Sequence, residues 1–307
     1  MAGYTLAIIG CGTMGVAILS GVLDSQRSQQ AIASSMASSV SSLHDSTTCD
    51  DLSELPTRYI ATVNRLESVR RLKKTFSQYP DIQIHAGQNV AAAREADVIL
   101  LGCKPQMVQD IIAECGMKEA LDGKLVISIC AGLRISQIVE WVTPATKVVR
   151  AMPNTPCKIR EGMTILTPLP STLPNAELDR NILLSIFSAV GRCRFLDEKH
   201  FDACTALAGS GPAFACVFLE AMADGGVMMG LPRQEALELA AQTMQGAARM
   251  VMQSGMHPAA IKDSVTTPGG CTIAGLLNLE DGKVRSTVAR TIQAAAEHAS
   301  GLGQNRK

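Results

Sequence analysis

The stretch Thr5-Leu6-Ala7-Ile8-Ile9-Gly10-Cys11-Gly12-Thr13-Met14-Gly15 decides the fold. A short apolar run of strand-type residues leads straight into Gly-x-Gly-x-x-Gly, and Val16 to Leu23 continues with helical spacing. In a strand–turn–helix context each glycine has its own duty. Gly10 permits the tight turn, Gly12 lets a pyrophosphate approach the backbone, and Gly15 lets helix pack closely on strand. The unpaired N–H groups and positive dipole end of the helix then face the phosphates. Gly10, Gly12, Thr13, Met14 and Gly15 are therefore candidate dinucleotide-binding residues; the alternative is a close-packed turn.

The alternation of strand and helix continues outward from this unit. Gln26 to Leu55 interrupts it with Ser-rich, low-complexity sequence, which is expected to be a surface insertion that buries little. Tyr59 to Val63 supplies the second strand. An enzyme reading the ribose 2′-hydroxyl places an acidic residue after that strand, but here Asn64 and Arg65 follow. An amide beside a guanidinium suits a 2′-phosphate, so NADPH is expected, with NADH possible as a second cofactor.

Asp97 to Cys103 ends in Lys104-Pro105, Leu125 to Cys130 ends in Ala131-Gly132, and Val148 to Met152 runs into Pro153-Asn154-Thr155-Pro156. All three strands carry their unusual residues at the carboxyl end, the edge where open α/β sheets bind ligands. Lys104, Pro105, Ala131, Gly132 and Asn154 are accordingly candidates for the nicotinamide side of the cleft. For Lys104 the alternative is a solvated loop lysine, and for Asn154 a turn between prolines. Gly162 to Thr167 and Arg192 to Leu196 read as further strands around a helix from about Asn175 to Val190. A mostly parallel, helix-covered Rossmann-type sheet is expected over residues 1–198.

From Lys199 onward the strand pattern disappears, and residues 199–307 read as an all-α domain. Ser210-Gly211-Pro212 opens one helix, Pro232 a second to about Gln253, and His257-Pro258 a short third. Val265-Thr-Thr-Pro-Gly-Gly-Cys-Thr-Ile-Ala-Gly-Leu-Leu-Asn-Leu-Glu280 opens a fourth, and Val284 to about Ser300 makes a fifth. Hydroxyls and paired glycines at the start of an apolar helix suit an anion; the competing reading is a helix cap after a tight turn. So little polar surface implies helices buried against something else, and a homo-oligomer formed through this domain is expected.

Composition bounds the function. At 307 residues two domains are expected. The formal net charge is zero, which favours a small-molecule partner over nucleic acid or an anionic membrane face. Ala203 to Leu219 is nearly uncharged, but Gly209, Gly211 and Pro212 make it a poor membrane span. Strand-type sequence from Tyr4 leaves little room for a targeting segment, so a cytoplasmic protein is expected. The ten cysteines include no Cys-x-x-Cys and read as small buried hydrophobes, and the five histidines share no spacing that suggests a metal site. Cys271 could serve as a nucleophile, but no basic residue nearby in sequence would activate it.

Taken together, Gly10 to Gly15, Asn64-Arg65, Lys104-Pro105-Gln106, Met152 to Pro156, Gly209 to Ala213, Ala223 to Pro232 and above all Val265 to Glu280 make the chain resemble the pyrroline-5-carboxylate reductases along its whole length. Phe214 stands where that family commonly has Tyr, and Thr267 where it commonly has Ser. The resemblance implies hydride transfer from NAD(P)H to the C=N carbon of 1-pyrroline-5-carboxylate, giving L-proline, and dimerisation through the C-terminal helices. It also implies roles in the Thr-rich segment. Backbone N–H groups around Gly269, Gly270 and Cys271 would hold the substrate carboxylate with help from Thr267. The Thr272 hydroxyl would bond the ring nitrogen and act as the catalytic group. Two other readings remain open. One is another enzyme of similar layout, either a β-hydroxyacid dehydrogenase, which would lean on Lys262, or a general imine reductase; the other is a nucleotide-binding sensor, which would show no turnover.

Overall fold

The computed structural model describes residues 3–39 and 56–301, which fall into two compact units, Met1–Thr205 with His298–Lys307, and Ala206–Glu297. The first unit is built on one sheet. Its strands are β1 (Tyr4–Ile9), β2 (Pro56–Val63), β3 (Gln83–Ala86), β4 (Val98–Leu101), β5 (Leu125–Ser128), β6 (Lys147–Met152), β7 (Gly162–Leu166) and β8 (Gly191–Phe195). They lie in the order β3-β2-β1-β4-β5-β6-β7-β8. The first six are parallel; β7 is antiparallel to β6, and β8 is parallel to β7.

Alternation along each strand builds two cores. Leu6, Ile8, Val98, Leu100, Leu125 and Ile127 face one side, while Ala7, Ile9, Ile99, Leu101 and Val126 face the other. Covering both faces is what a parallel sheet requires, and it explains why its strands read as continuous apolar runs. At about 2 kcal/mol for each large aliphatic side chain taken out of water, the fully buried Leu6, Ile8 and Ile9 hold β1 firmly at the middle of the sheet.

Helices α1 (Thr13–Ser39), α2 (Leu66–Thr75), α3 (Asn89–Glu95), α4 (Pro105–Ile112), α5 (Met117–Leu121), α6 (Ile135–Trp141) and α7 (Ala176–Ser188) complete this unit. Two expectations need correction. The Ser-rich segment does not interrupt the fold at Gln26, because α1 runs on to Ser39; its Gln, Ala and Met residues favour helix and no Gly or Pro stops it. Tyr59 donates to Gln26 Oε1 at 2.6 Å, and the Arg27 guanidinium lies 4.8 Å from the centre of the Tyr79 ring, tying this extension to the sheet. Residues 40–55 lie outside the described residues. The second correction is β3, absent from the sequence reading. Gln83-Ile84-His85-Ala86 is short and half-buried because it pairs on one side only, so it lacks the apolar run of the inner strands.

Leading out of the sheet are a 3₁₀ turn (Glu198–His200), α8 (Phe201–Cys204) and a π-helical turn (Thr205–Gly209). The second unit holds α9 (Gly211–Met228), α10 (Arg233–Ser254), α11 (Pro258–Ser264), α12 (Cys271–Asp281) and most of α13 (Val284–Gly301). The five helices expected from the sequence are all present. α9 and α10 pack through small residues: Ala223, Ala236 and Ala240 are buried, and a Cβ on Gly226 would lie 3.2 Å from that of Ala236. Much of the remaining apolar surface is uncovered. Met228 is 82% exposed and Leu277 59% exposed, and α12 has no buried residue at all. Among the described residues, the run Glu198–Met228 is long and apolar enough to cross a membrane by length and composition alone.

All nine described cysteines are free. Burial holds for Cys11, Cys130, Cys157 and Cys193, whereas Cys115, Cys216 and Cys271 are exposed, contrary to the expectation that the cysteines are core residues. Among the described residues no group of His, Cys, Asp and Glu could hold a metal ion.

Candidate functional site

The strand order runs outward in both directions from β1 and β4, so their connections leave toward opposite faces and a crevice opens at their carboxyl ends. A cleft of about 360 Å³ lies there, lined by residues that include Gly10, Asn64, Gly87, Asn89, Cys103, Asp110 and Glu114. The glycines of the opening motif have three different environments. Gly10 has φ 80°, and a Cβ there would fall 2.6 Å from the backbone nitrogen of Cys103. A Cβ on Gly12 would meet nothing closer than the Gly10 carbonyl at 3.9 Å, which leaves the turn open to a ligand. Gly15 brings α1 to within 3.1 Å of Ile8 Cγ2, measured from the missing Cβ. Cys11, between them, points into the core, and burial pushes its thiol up to about 12, against the opposing pull of Arg71, so it is no nucleophile.

The other candidates sit along the same edge. Thr13 and Met14 open α1; Asn64 and Arg65 follow β2, with Arg65 at the N-cap of α2. Lys104 is the exposed N-cap of α4, with Pro105 in its first turn. Ala131 and Gly132, the latter with φ 76°, follow β5. Asn154 follows β6 and is buried, and its Oδ1 accepts the Met163 N–H at 2.8 Å. That bond gives Asn154 a duty in starting β7. Of the sequence candidates only Gly10 and Asn64 line the cleft itself.

Residues that sequence reasoning missed complete its wall. Thr62 donates to Asn89 Oδ1 at 2.8 Å, and Asn89 Nδ2 donates to Glu114 Oε1 at 2.8 Å, which fixes one carboxylate in the cleft wall. Asp110 lies one turn earlier on α4. Both acids add negative charge to the cleft wall, which sequence reading could not place there while β3 and Gly87 were unassigned. The one available signal was the pair of acids, Asp110 and Glu114, spaced four apart where a helix that begins at a strand end runs out.

In the second unit, Thr267, Gly269, Gly270, Cys271 and Thr272 form the start of α12. Gly269 has φ 68°, which suits glycine, and Gly270 is the N-cap. A Cβ on Gly270 would lie 2.5 Å from Thr267 Oγ1, so the glycine lets that hydroxyl close over the helix start. No side chain caps this end, contrary to the simple-cap reading, and Thr266 is turned back to the Lys262 carbonyl at 2.8 Å. The first-turn N–H groups thus have no side-chain acceptor, which is an arrangement suited to a carboxylate. Cys271 is exposed here. Lys262 is ion-paired with its neighbour Asp263.

Comparison with known proteins fits both halves. Residues 198–302 match the family "Pyrroline-5-carboxylate reductase dimerisation", and residues 5–132 match "NADP oxidoreductase coenzyme F420-dependent". A pyrroline-5-carboxylate reductase of Lophium arboricola is 49% identical, over 98% of this chain and 93% of that protein. One from Schizosaccharomyces pombe is 43% identical over 99% of this chain and 100% of that protein. The crystal structure of a Plasmodium falciparum pyrroline carboxylate reductase with NADP bound superimposes with a TM-score of 0.75 at 28% identity, covering 99% of this chain and 100% of that one. With a glycine-turn cleft in its first unit, an uncapped Thr-rich helix start in its second, and identity of this degree from end to end, the chain belongs to the pyrroline-5-carboxylate reductase family.

Proposed function

We infer that the chain reduces 1-pyrroline-5-carboxylate to L-proline, the last step of proline biosynthesis, with NADPH as the preferred reductant. The observation that carries this reading is 49% identity to a reductase of that name over 98% of the chain. The cleft supports a dinucleotide on its own terms: the open face of Gly12 beside the α1 N-terminus offers bare N–H groups to a pyrophosphate. When bound, a reduced nicotinamide supplies the hydride. Gly10, Gly12, Thr13, Met14 and Gly15 hold the phosphates in this reading, and Asn64 and Arg65 take the ribose end. Lys104, Pro105, Ala131, Gly132 and Asn154 border the nicotinamide.

The substrate carboxylate rests on the N–H groups of Gly269, Gly270 and Cys271 with the Thr267 hydroxyl beside it, and Thr272 hydrogen-bonds the ring nitrogen. An imine that arrives protonated is already electrophilic, so orientation outweighs strong acid catalysis. The side chains of this segment fit that account, since Lys262, which precedes it, is ion-paired with Asp263. The uncovered apolar helices of the second unit and the dimerisation family matched there support a homodimer formed through them.

Mixing the purified protein with 1-pyrroline-5-carboxylate and either NADPH or NADH, and following the loss of reduced-nicotinamide absorbance, tests the reading. NADPH should be consumed at the lower Michaelis constant. No consumption with either cofactor would leave a binding protein without turnover. Complete loss of activity in Lys262→Ala with activity kept in Thr272→Ala would instead point to hydroxyacid-type chemistry.

A further inference from the structure

Cys103 and Cys130 meet at the carboxyl ends of β4 and β5. Leu101 pairs with Ser128 at the last rung of those parallel strands, and the Ile129 N–H continues the ladder to the Leu101 carbonyl at 3.0 Å. Two residues further on, the same register sets Cys103 opposite Cys130. In-register neighbours on parallel strands lie about 4.8 Å apart and project to the same side, inside the Cα separation that a disulfide spans. The side chains meet accordingly. Cys130 Sγ reaches the Cys103 carbonyl at 3.2 Å and the Leu101 carbonyl at 3.5 Å, which places this sulfur against the backbone of Cys103 itself. Cys130 is buried, whereas Cys103 is partly exposed and lines the dinucleotide cleft beneath the Gly10 turn.

We propose that Cys103 and Cys130 form a peroxide-sensitive dithiol in the cofactor cleft, which closes to a disulfide when the cleft is empty and is shielded when a dinucleotide fills it. The proposal rests on the cleft being the dinucleotide site. The two sulfurs are unequal in the way such chemistry needs. Hydrogen bonding from Cys130 lowers the Cys103 thiol below its ordinary range despite partial burial, while the bond to Cys103, added to burial, raises Cys130. Cys103, the sulfur that opens on the cleft, is the attacking thiolate, and the buried Cys130 is the resolving thiol.

In the first step the Cys103 thiolate attacks a peroxide oxygen. The O–O bond breaks, sulfur loses two electrons to the peroxide, and sulfenic acid and hydroxide form; the hydroxide takes up the proton the thiol had released to solvent and leaves as one water. In the second step the Cys130 sulfur attacks the sulfenic sulfur; the S–O bond breaks, the thiol proton leaves with the hydroxyl as a second water, and the disulfide remains. A small dithiol reverses the bridge by exchange.

The test treats the full-length reduced protein with hydrogen peroxide, quenches it with an alkylating agent, and maps cysteines by peptide mass spectrometry. The expected product is a Cys103–Cys130 bridge that dithiothreitol reverses. NADP⁺ at about ten times its dissociation constant should slow bridging roughly tenfold, because only the free protein is open to peroxide. In Cys130→Ala the reaction should stop at a Cys103 sulfenic acid that dimedone traps. Recovery of Cys103 and Cys130 as free thiols while Cys115, Cys216 or Cys271 oxidise would overturn the proposal, as would a bridging rate indifferent to NADP⁺. Turnover of the reduced enzyme is measured separately, so a protein that bridges with cofactor protection but reduces no imine counts against the proposed reaction and not against the dithiol.

Discussion

At the scale of single residues, the two glycine-bearing turns do most to define the site, and each constrains its neighbours through backbone geometry. Gly10 combines a left-handed φ of 80° with the Cys103 backbone at 2.6 Å from any added Cβ. Gly10→Ala should therefore cost about 2 kcal/mol or more of stability, read as a lowered denaturant midpoint; an unchanged midpoint would mean the turn rearranges freely. Thr272 carries the chemistry in the proposed reaction. Thr272→Ala should lower turnover roughly tenfold or more, through loss of a transition-state hydrogen bond, and Thr272→Ser should restore most of it. Equal rates for wild type and Thr272→Ala would remove that role. Arg65 belongs to cofactor choice. Arg65→Ala should raise the Michaelis constant for NADPH more than that for NADH, because only the former bears a 2′-phosphate for a guanidinium to hold. Parallel rises for both would argue that Arg65 contacts neither cofactor selectively.

At the scale of elements, β6 is joined to its surroundings by buried charge. Lys147 at its start pairs with Asp179 of α7, the carboxylate side chain being only 6% exposed. Arg150, also buried, reaches Glu198 at 3.1 Å and lies 4.9 Å from the centre of the Phe201 ring. Glu198 in turn accepts the Ile135 N–H at 2.9 Å, so the chain leaving the sheet is tied to the first turn of α6, just after Gly132. Removing one partner of a buried pair strands the other charge. Asp179→Ala should destabilise the fold by about 3 kcal/mol, measured by urea unfolding, while a double replacement of Lys147 and Asp179 by apolar residues should cost much less. These elements also show where sequence patterns suffice. Inner strands such as β1 and β4 are legible because both their faces are buried. β3 escaped notice because an edge strand needs apolar residues on fewer sides. The continuation of α1 through Gln26 was hidden by its serines, whose composition resembles a loop although nothing in it breaks a helix.

For the whole molecule, the second unit carries more apolar surface than its own folding covers. Val217, Met228, Leu239 and Leu277 are each more than half exposed. Patches of that kind mark an interface. Sedimentation should therefore return at least a dimer mass, and the thermal midpoint should rise with protein concentration, since association stabilises the folded state by mass action. A monomer at micromolar concentration, with a midpoint independent of concentration, would exclude the self-association proposed here.

The sequence by itself determined the strand–turn–helix start, the succession of inner strands, the five C-terminal helices and the Thr-rich segment at the start of α12. Each of these is local: a period, a cap or a turn residue specifies it without reference to distant parts of the chain. Only the tertiary structure decided that Asn89, Asp110 and Glu114 share the cleft with Gly10, that Asn154 is spent on β7, and that Cys103 faces Cys130. Those pairings depend on strand register and on which elements lie side by side in the sheet. They are set by burial of two opposite faces at once, a property of the assembled sheet that no single segment encodes.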